Sequence, residues 1–255
     1  MRRLPGPAGL LAVEEHGQGP LPLILIHGMA GDASFWASLV RALGPGYRVI
    51  IPELRGHGRS GQPSDGQYAI AAHAADLVAV VEAMALDRVV LVGHSFGASV
   101  ALEAATLMPT QVAGMVLLDA AGDFSYVPPE ALEGFIAGME HPAHYTETVE
   151  GAFDVALEGA TAETERRVRA AIMAAPPAMI VAMYKSLLRY RPTDALAKYS
   201  GPLLLVTAPT NSASFALHEL CPEVPRRHID GVSHWMMMDH PKAVARLVEE
   251  FVHGL

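Results

Sequence analysis

Short β-branched or leucine-rich runs recur along the 255-residue chain at 21–26, 47–51, 89–92, 112–118 and 203–207, separated by glycine-bearing turns and longer alanine-rich stretches. A run that is apolar without strict alternation predicts a strand covered on both faces, as in a parallel sheet with crossover helices. Residues 35–43, 70–84 and 99–108 have the length and spacing of helices, and 243–252 forms an amphipathic C-terminal one. A shorter strand is expected at 226–229. Strand and helix alternate, so the pattern predicts an α/β architecture.

The segment 122–198 breaks that rhythm. It lacks a clear strand, contains Pro128-Pro129 and Pro176-Pro177, and mixes Met, Tyr and Phe into helical stretches such as 178–190. With no internal repeat and no low-complexity linker beside it, it reads as a helical insertion within one domain rather than a second domain.

Composition narrows the classes. Apolar residues make up 51% and charged residues 18%, which excludes disorder. No apolar run approaches the roughly 18 to 20 residues that span a bilayer, so no membrane span is expected. The N-terminus, MRRLPGPAG, reaches two prolines before any long hydrophobic stretch and does not read as a signal peptide. Cys221 is the one cysteine, which rules out an internal disulfide and leaves no metal-ligand cluster. Neither metal nor cofactor is therefore expected, and a cytoplasmic location is. The net charge of −9, without any basic tract, argues against a nucleic-acid partner.

Chemistry concentrates where strands end. Gly93-His94-Ser95-Phe96-Gly97 follows an apolar run and opens a helix. Glycines around a serine in that context allow a sharp strand-to-helix turn that presents Ser95 as a nucleophile. The helix directs its first N–H groups, that of Phe96 among them, at negative charge developing beside the serine. The run at 21–26 ends in His27-Gly28-Met29-Ala30-Gly31, a loop able to aim a second backbone N–H, that of Met29, at the same point. Together these two would form an oxyanion hole. His27 reads as a structural imidazole holding the loop. Near the C-terminus, His234 in Asp230-Gly231-Val232-Ser233-His234-Trp235 follows the last strand and can act as general base. His57 and His240 read as loop supports, and His94 as turned away from the Ser95 side chain.

With these residues in view the chain resembles the α/β-hydrolase family, specifically its capped esterase-like members. The resemblance is carried by HGMAG at 27–31, PELRGHGRS at 52–60, GHSFG at 93–97, VLLD at 116–119 and GVSHWMMMDHP at 231–241. It implies a mostly parallel eight-stranded sheet flanked by helices, formed by 1–121 and 199–255, with a helical cap at 122–198 inserted after the sixth strand. It also implies Ser95 as nucleophile, His234 as base and an acid between them in chain order.

Many relatives carry that acid after the strand corresponding to 203–207. Asn211 stands there in this chain. A neutral amide cannot stabilise an imidazolium as a carboxylate does. A second position used in the family lies at the end of the preceding strand, where this chain has Asp119; Asp123 and Asp230 remain possible substitutes.

Dehalogenases and epoxide hydrolases of the family use aspartate at the elbow, so Ser95 points instead to acyl transfer. The expected activity is hydrolysis of a small or medium apolar carboxylic ester through an acyl-enzyme, with Met183, Tyr184 and Trp235 lining the substrate pocket beside Met29 and Phe96. The partner is then a small-molecule ester. Other readings of the same apparatus are a carbon–carbon bond hydrolase, a lactonase, an amidase or a perhydrolase; a hydrolase-like binding protein without catalysis is the reading from another class.

Overall fold

The computed structural model describes residues 1–255. Eight strands form one sheet: β1 (Arg2–Gly6), β2 (Gly9–His16), β3 (Leu23–Ile26), β4 (Val49–Pro52), β5 (Val89–His94), β6 (Val112–Leu118), β7 (Leu203–Thr207) and β8 (Arg226–His228). Their spatial order is β1-β2-β4-β3-β5-β6-β7-β8. The pairings of β2 with β1 and with β4 are antiparallel and the other five are parallel. Every residue of β3 to β7 is buried, as expected of strands covered on both faces.

The β1–β2 hairpin is absent from the runs picked out in the sequence. It sits at the sheet edge, and within its strands only Leu11, Ala12 and Val13 are buried; its apolar stretch Leu10–Val13 is short and runs straight into Glu14-Glu15.

Helices α1 (Ala37–Leu43), α2 (Ile70–Ala83) and α3 (Phe96–Leu107) connect the parallel strands up to β6. Between β6 and β7 the chain forms only helices: α4 (Pro129–Glu140), α5 (Tyr145–Ala156), α6 (Ala162–Ala174), α7 (Pro177–Arg189) and α8 (Pro192–Leu196), with a short 3-10 turn before them. Pro129, Pro177 and Pro192 each occupy a first-turn position, where the missing N–H costs nothing and the fixed φ favours helix initiation. The buried faces of α4 to α7 belong to the same cluster of 68 apolar residues as the sheet. The short α9 (Leu217–Leu220) and α10 (Met236–Asp239) precede the amphipathic α11 (Pro241–His253). No single helix is long and apolar enough to cross a membrane.

The strand order reverses direction between β3 and β5: from β3 the chain moves to β4 on one side, and from β5 to β6 on the other. Loops leaving the C-terminal ends of two such strands splay apart and open a crevice there. Those loops carry Met29 and Ser95.

Candidate active site

β5 delivers the chain to His94 and α3 begins at Phe96, so Ser95 alone makes the turn, with φ 54° and ψ −120°. A non-glycine residue held there costs of order 1–3 kcal/mol. The Ser95 N–H donates to the Leu118 carbonyl at 3.1 Å, which ties the strained residue to β6. A Cβ at position 97 would stand 2.2 Å from the Ile26 carbonyl oxygen, and one at position 93 would stand 2.5 Å from that of Gly97. Only glycines let α3 start this close to β3 and β5.

The turn after β3 closes with the Gly31 N–H on the Gly28 carbonyl, 3.2 Å. It crosses directly over Ser95, since a Cβ on Gly28 would lie 3.2 Å from the Ser95 Cβ. The Met29 N–H makes no hydrogen bond. The groups around it are engaged by buried imidazoles. His27 Nδ1 donates to the Gly28 carbonyl at 2.8 Å while its Nε2 accepts from the Leu54 N–H at 3.0 Å. His57 Nε2 accepts from the Ala30 N–H at 3.3 Å and its Nδ1 donates to the Arg55 carbonyl at 3.0 Å. Burial pushes His27 down to about 4 and His57 down to about 3, so both are neutral and able to accept at neutral pH. Phe96 is the first residue of α3, and its N–H has no acceptor within the helix.

His234 Nδ1 lies 2.5 Å from Asp119 Oδ2. A carboxylate partner fixes the proton on Nδ1 and leaves the Nε2 lone pair free. Asp119 stands one residue past β6, 1% exposed, in the left-handed region at φ 44°. Its other oxygen, Oδ1, accepts from the Ala208 N–H at 3.0 Å and from Asn211 Nδ2 at 3.1 Å. Asp123 turns instead to Ser125 and Thr193, and the exposed Asp230 pairs with His228. Neither reaches His234.

Ser95 and His234 line one apolar cavity of about 70 Å³, with Met29, Phe96, Tyr184 and Trp235 in its wall. No hydrogen bond joins Ser95 Oγ to His234; such bonds tighten once substrate is bound. From α5 the cavity takes Ala152, Phe153 and Ala156, and from α7 Tyr184 and Leu187. Trp235 stacks on Phe153 at 5.6 Å and meets the His234 ring edge-on at 5.0 Å. Two larger clefts, of about 470 and 450 Å³, run along α7 and share Lys185 and Arg189; neither holds a nucleophile beside a histidine.

Met183 departs from expectation. It is fully buried and does not reach the cavity, because the helical period turns it with Ile180 into the core while its neighbour Tyr184 faces the site. His94 departs in the opposite sense. It lines the cavity with Ser95, and its Nε2 donates to the His234 carbonyl at 2.9 Å. Asn211, read as a lost acid, is a donor to Asp119. Of the three, only His94 carried a signal, its place next to Ser95 in the glycine-flanked turn.

A model of the alpha/beta hydrolase family matches residues 23–247. The chain belongs to the alpha/beta hydrolase family. Among the chain's curated relatives, the putative carbamate hydrolase RutD of Variovorax paradoxus is 41% identical over 112 residues, 43% of this chain and 42% of that protein. Lipase LipV of Mycobacterium tuberculosis is 39% identical over 112 residues, 44% and 42% of the two chains. The chain thus matches less than half the length of these relatives. Among solved structures, a thermophilic esterase from Thermogutta terrifontis superposes with a TM-score of 0.82 at 25% identity, covering 99% of this chain and 98% of that one. AqdC, which cleaves the ring of the Pseudomonas quinolone signal, superposes over the full length of both chains with a TM-score of 0.86 at 20% identity, a likeness of fold alone.

Proposed function

We propose that this hydrolase cleaves small apolar carboxylic esters through an acyl-enzyme, with Ser95 as nucleophile, His234 as general base and Asp119 as the acid that orients it. The observation that carries the reading is the Asp119–His234 hydrogen bond beside a cavity whose floor is the strained Ser95. With its proton held on Nδ1, His234 takes the Ser95 proton on Nε2 as Oγ attacks the ester carbonyl. Negative charge develops on the carbonyl oxygen, and the N–H groups of Met29 and Phe96 are the donors for it. Collapse expels the alcohol, which receives the proton from His234. A water activated by the same imidazole then releases the acid.

In this reading 122–198 is a cap on a single α/β domain, supported by the α5 and α7 residues in the cavity wall. The cavity bounds the acyl group. One water-sized group takes about 10–15 Å³ of such space, so about 70 Å³ accepts an acyl group of some five to seven heavy atoms. Tyr184 and Trp235 are then the residues that meet its far end.

The test is pre-steady-state hydrolysis of p-nitrophenyl acetate together with active-site labelling by a fluorophosphonate. A burst of one nitrophenolate per chain and a label on Ser95 are expected. Absence of both would assign the chain to the non-catalytic class.

A further inference from the structure

We propose that Asn211 is a positioning residue of the Ser95–His234–Asp119 triad: its side-chain amide holds the Asp119 carboxylate with Oδ2 turned to the imidazole. The proposal rests on Asp119 being the triad acid. Asn211 follows a turn closed by its own N–H on the Ala208 carbonyl at 3.2 Å. That turn aims two donors, the Ala208 N–H and Asn211 Nδ2, at the same oxygen, Oδ1 of Asp119. The amide is oriented in turn, because Nδ2 also donates to the Ala120 carbonyl at 3.2 Å. A buried carboxylate has no water for its lone pairs, so the two donors on Oδ1 fix its rotation and leave Oδ2 for His234.

The same geometry makes the residue type at 211 decisive. A carboxylate there would face Oδ1 across about the 3.1 Å now spanned by the amide. Two carboxylates at that separation share one proton rather than both ionising. While Asp119 carries the charge, position 211 must donate. The other titratable groups facing this corner are His234 itself, His218 on α9 with Glu219 against it at 3.3 Å, and His228 on β8, bonded to Thr207 at 3.0 Å. Burial lowers His218, so it supplies no competing positive charge at neutral pH.

Asn211→Asp and Asn211→Ala separate positioning from mere loop shape. Aspartate is isosteric and preserves the turn, whereas alanine removes the donor without adding an acceptor. For p-nitrophenyl acetate hydrolysis, Asn211→Ala is expected to lower kcat about tenfold with KM unchanged, since Asn211 does not line the cavity. Asn211→Asp is expected to gain a descending limb in kcat between about pH 5 and 8, absent from the wild type. At low pH the protonated carboxyl introduced by Asn211→Asp donates to Asp119 as the amide does. As pH rises that proton is lost, the two charges repel and the acid swings away, with a loss of about a hundredfold. In parallel, the Nδ1–H proton of His234 is followed by NMR in histidine-labelled protein. It should persist across this range in the wild type and disappear with rising pH in Asn211→Asp.

An Asn211→Asp variant with the wild-type profile and an unchanged Nδ1–H signal would overturn the proposal. So would an alanine variant slower than the aspartate one at every pH. The NMR signal does not need turnover. A pH-dependent loss of it in Asn211→Asp, in a protein whose wild type hydrolyses no ester, would keep the positioning role and remove the ester-hydrolase reading instead.

Discussion

His94 donates its Nε2–H to the main-chain carbonyl of His234 at 2.9 Å, and the two rings lie 4.6 Å apart. The residue before Ser95 thus grips the backbone of His234, so one hydrogen bond sets how β5 and the His234 loop meet. The opposite side of that loop is fixed as well, by the His234 N–H on the Ala156 carbonyl at 3.0 Å. His94 is fully buried with its Nδ1 unpartnered, and burial together with the neighbouring His234 pushes it well below the ordinary histidine range. It therefore adds no second positive charge when His234 takes a proton.

Replacing His94 by Ala should lower kcat by about 10- to 100-fold while leaving Ser95 able to react slowly with a fluorophosphonate, since the lost bond orients the base without touching substrate. His94→Gln retains a donor and should recover part of the rate. Wild-type turnover in the alanine variant would refute the grip.

Ser95→Ala should abolish turnover, a loss on the order of 10⁶ in kcat, without lowering the melting temperature. Its backbone bond to Leu118 and both flanking glycines stay in place. Near wild-type hydrolysis by the purified variant would remove the whole mechanism.

Cavity and core respond differently along α7. Leu187→Ala and Tyr184→Ala widen the cavity and should move the preferred p-nitrophenyl ester to acyl chains longer than the butyrate and hexanoate that about 70 Å³ accommodates. Met183→Ala empties fully buried space instead, costing about 2–5 kcal/mol of stability with the chain-length preference unchanged. Parallel melting curves and kcat/KM series read both effects. A shift in preference from Met183→Ala alone would reverse the assignment.

The strands were legible because β3 to β7 are buried on both faces and so are written as continuous apolar runs. That Ser95 and His234 come together at one sheet edge was legible because glycines and loop position mark them. Asp119 as their proposed acid was read from its place at the end of β6 together with the absence of an acid at 211. Two things were not written in one dimension: which of the adjacent Met183 and Tyr184 faces the cavity, and that His94 folds back onto the base. Helical period gives a buried face but not the height at which a cavity opens beside it, and the reach of His94 depends on a loop 140 residues away.

Acid should weaken the protein before it touches the carboxylates. His27 and His57 are held neutral at about 4 and about 3, whereas in the unfolded chain they titrate near 6.5. The unfolded state therefore binds more protons below about pH 6.5, and stability falls as pH drops from there to the native values, by about 3 kcal/mol or more for each imidazole. Urea midpoints at pH 7 and pH 4.5 measure this. His57→Gln should flatten the dependence by about one proton, and an unchanged slope would show that His57 does not contribute.

Asp119→Asn should cost about 10⁴ in kcat, and the surroundings of Asp119 say why an amide fails there. The Oδ1 position is surrounded by donors, the Ala208 N–H and Asn211 Nδ2, so an amide at 119 must place its oxygen there. Its NH₂ group then points at His234 Nδ1. Two donors cannot face each other, so the imidazole gives up its Nδ1 proton and adopts the tautomer with hydrogen on Nε2. That nitrogen no longer accepts the Ser95 proton, and the protonated base has also lost its counter-charge. Histidine-labelled NMR should report the tautomer change directly while the melting temperature moves little. A loss of kcat under tenfold, with His234 still protonated on Nδ1, would show that the acid lies elsewhere.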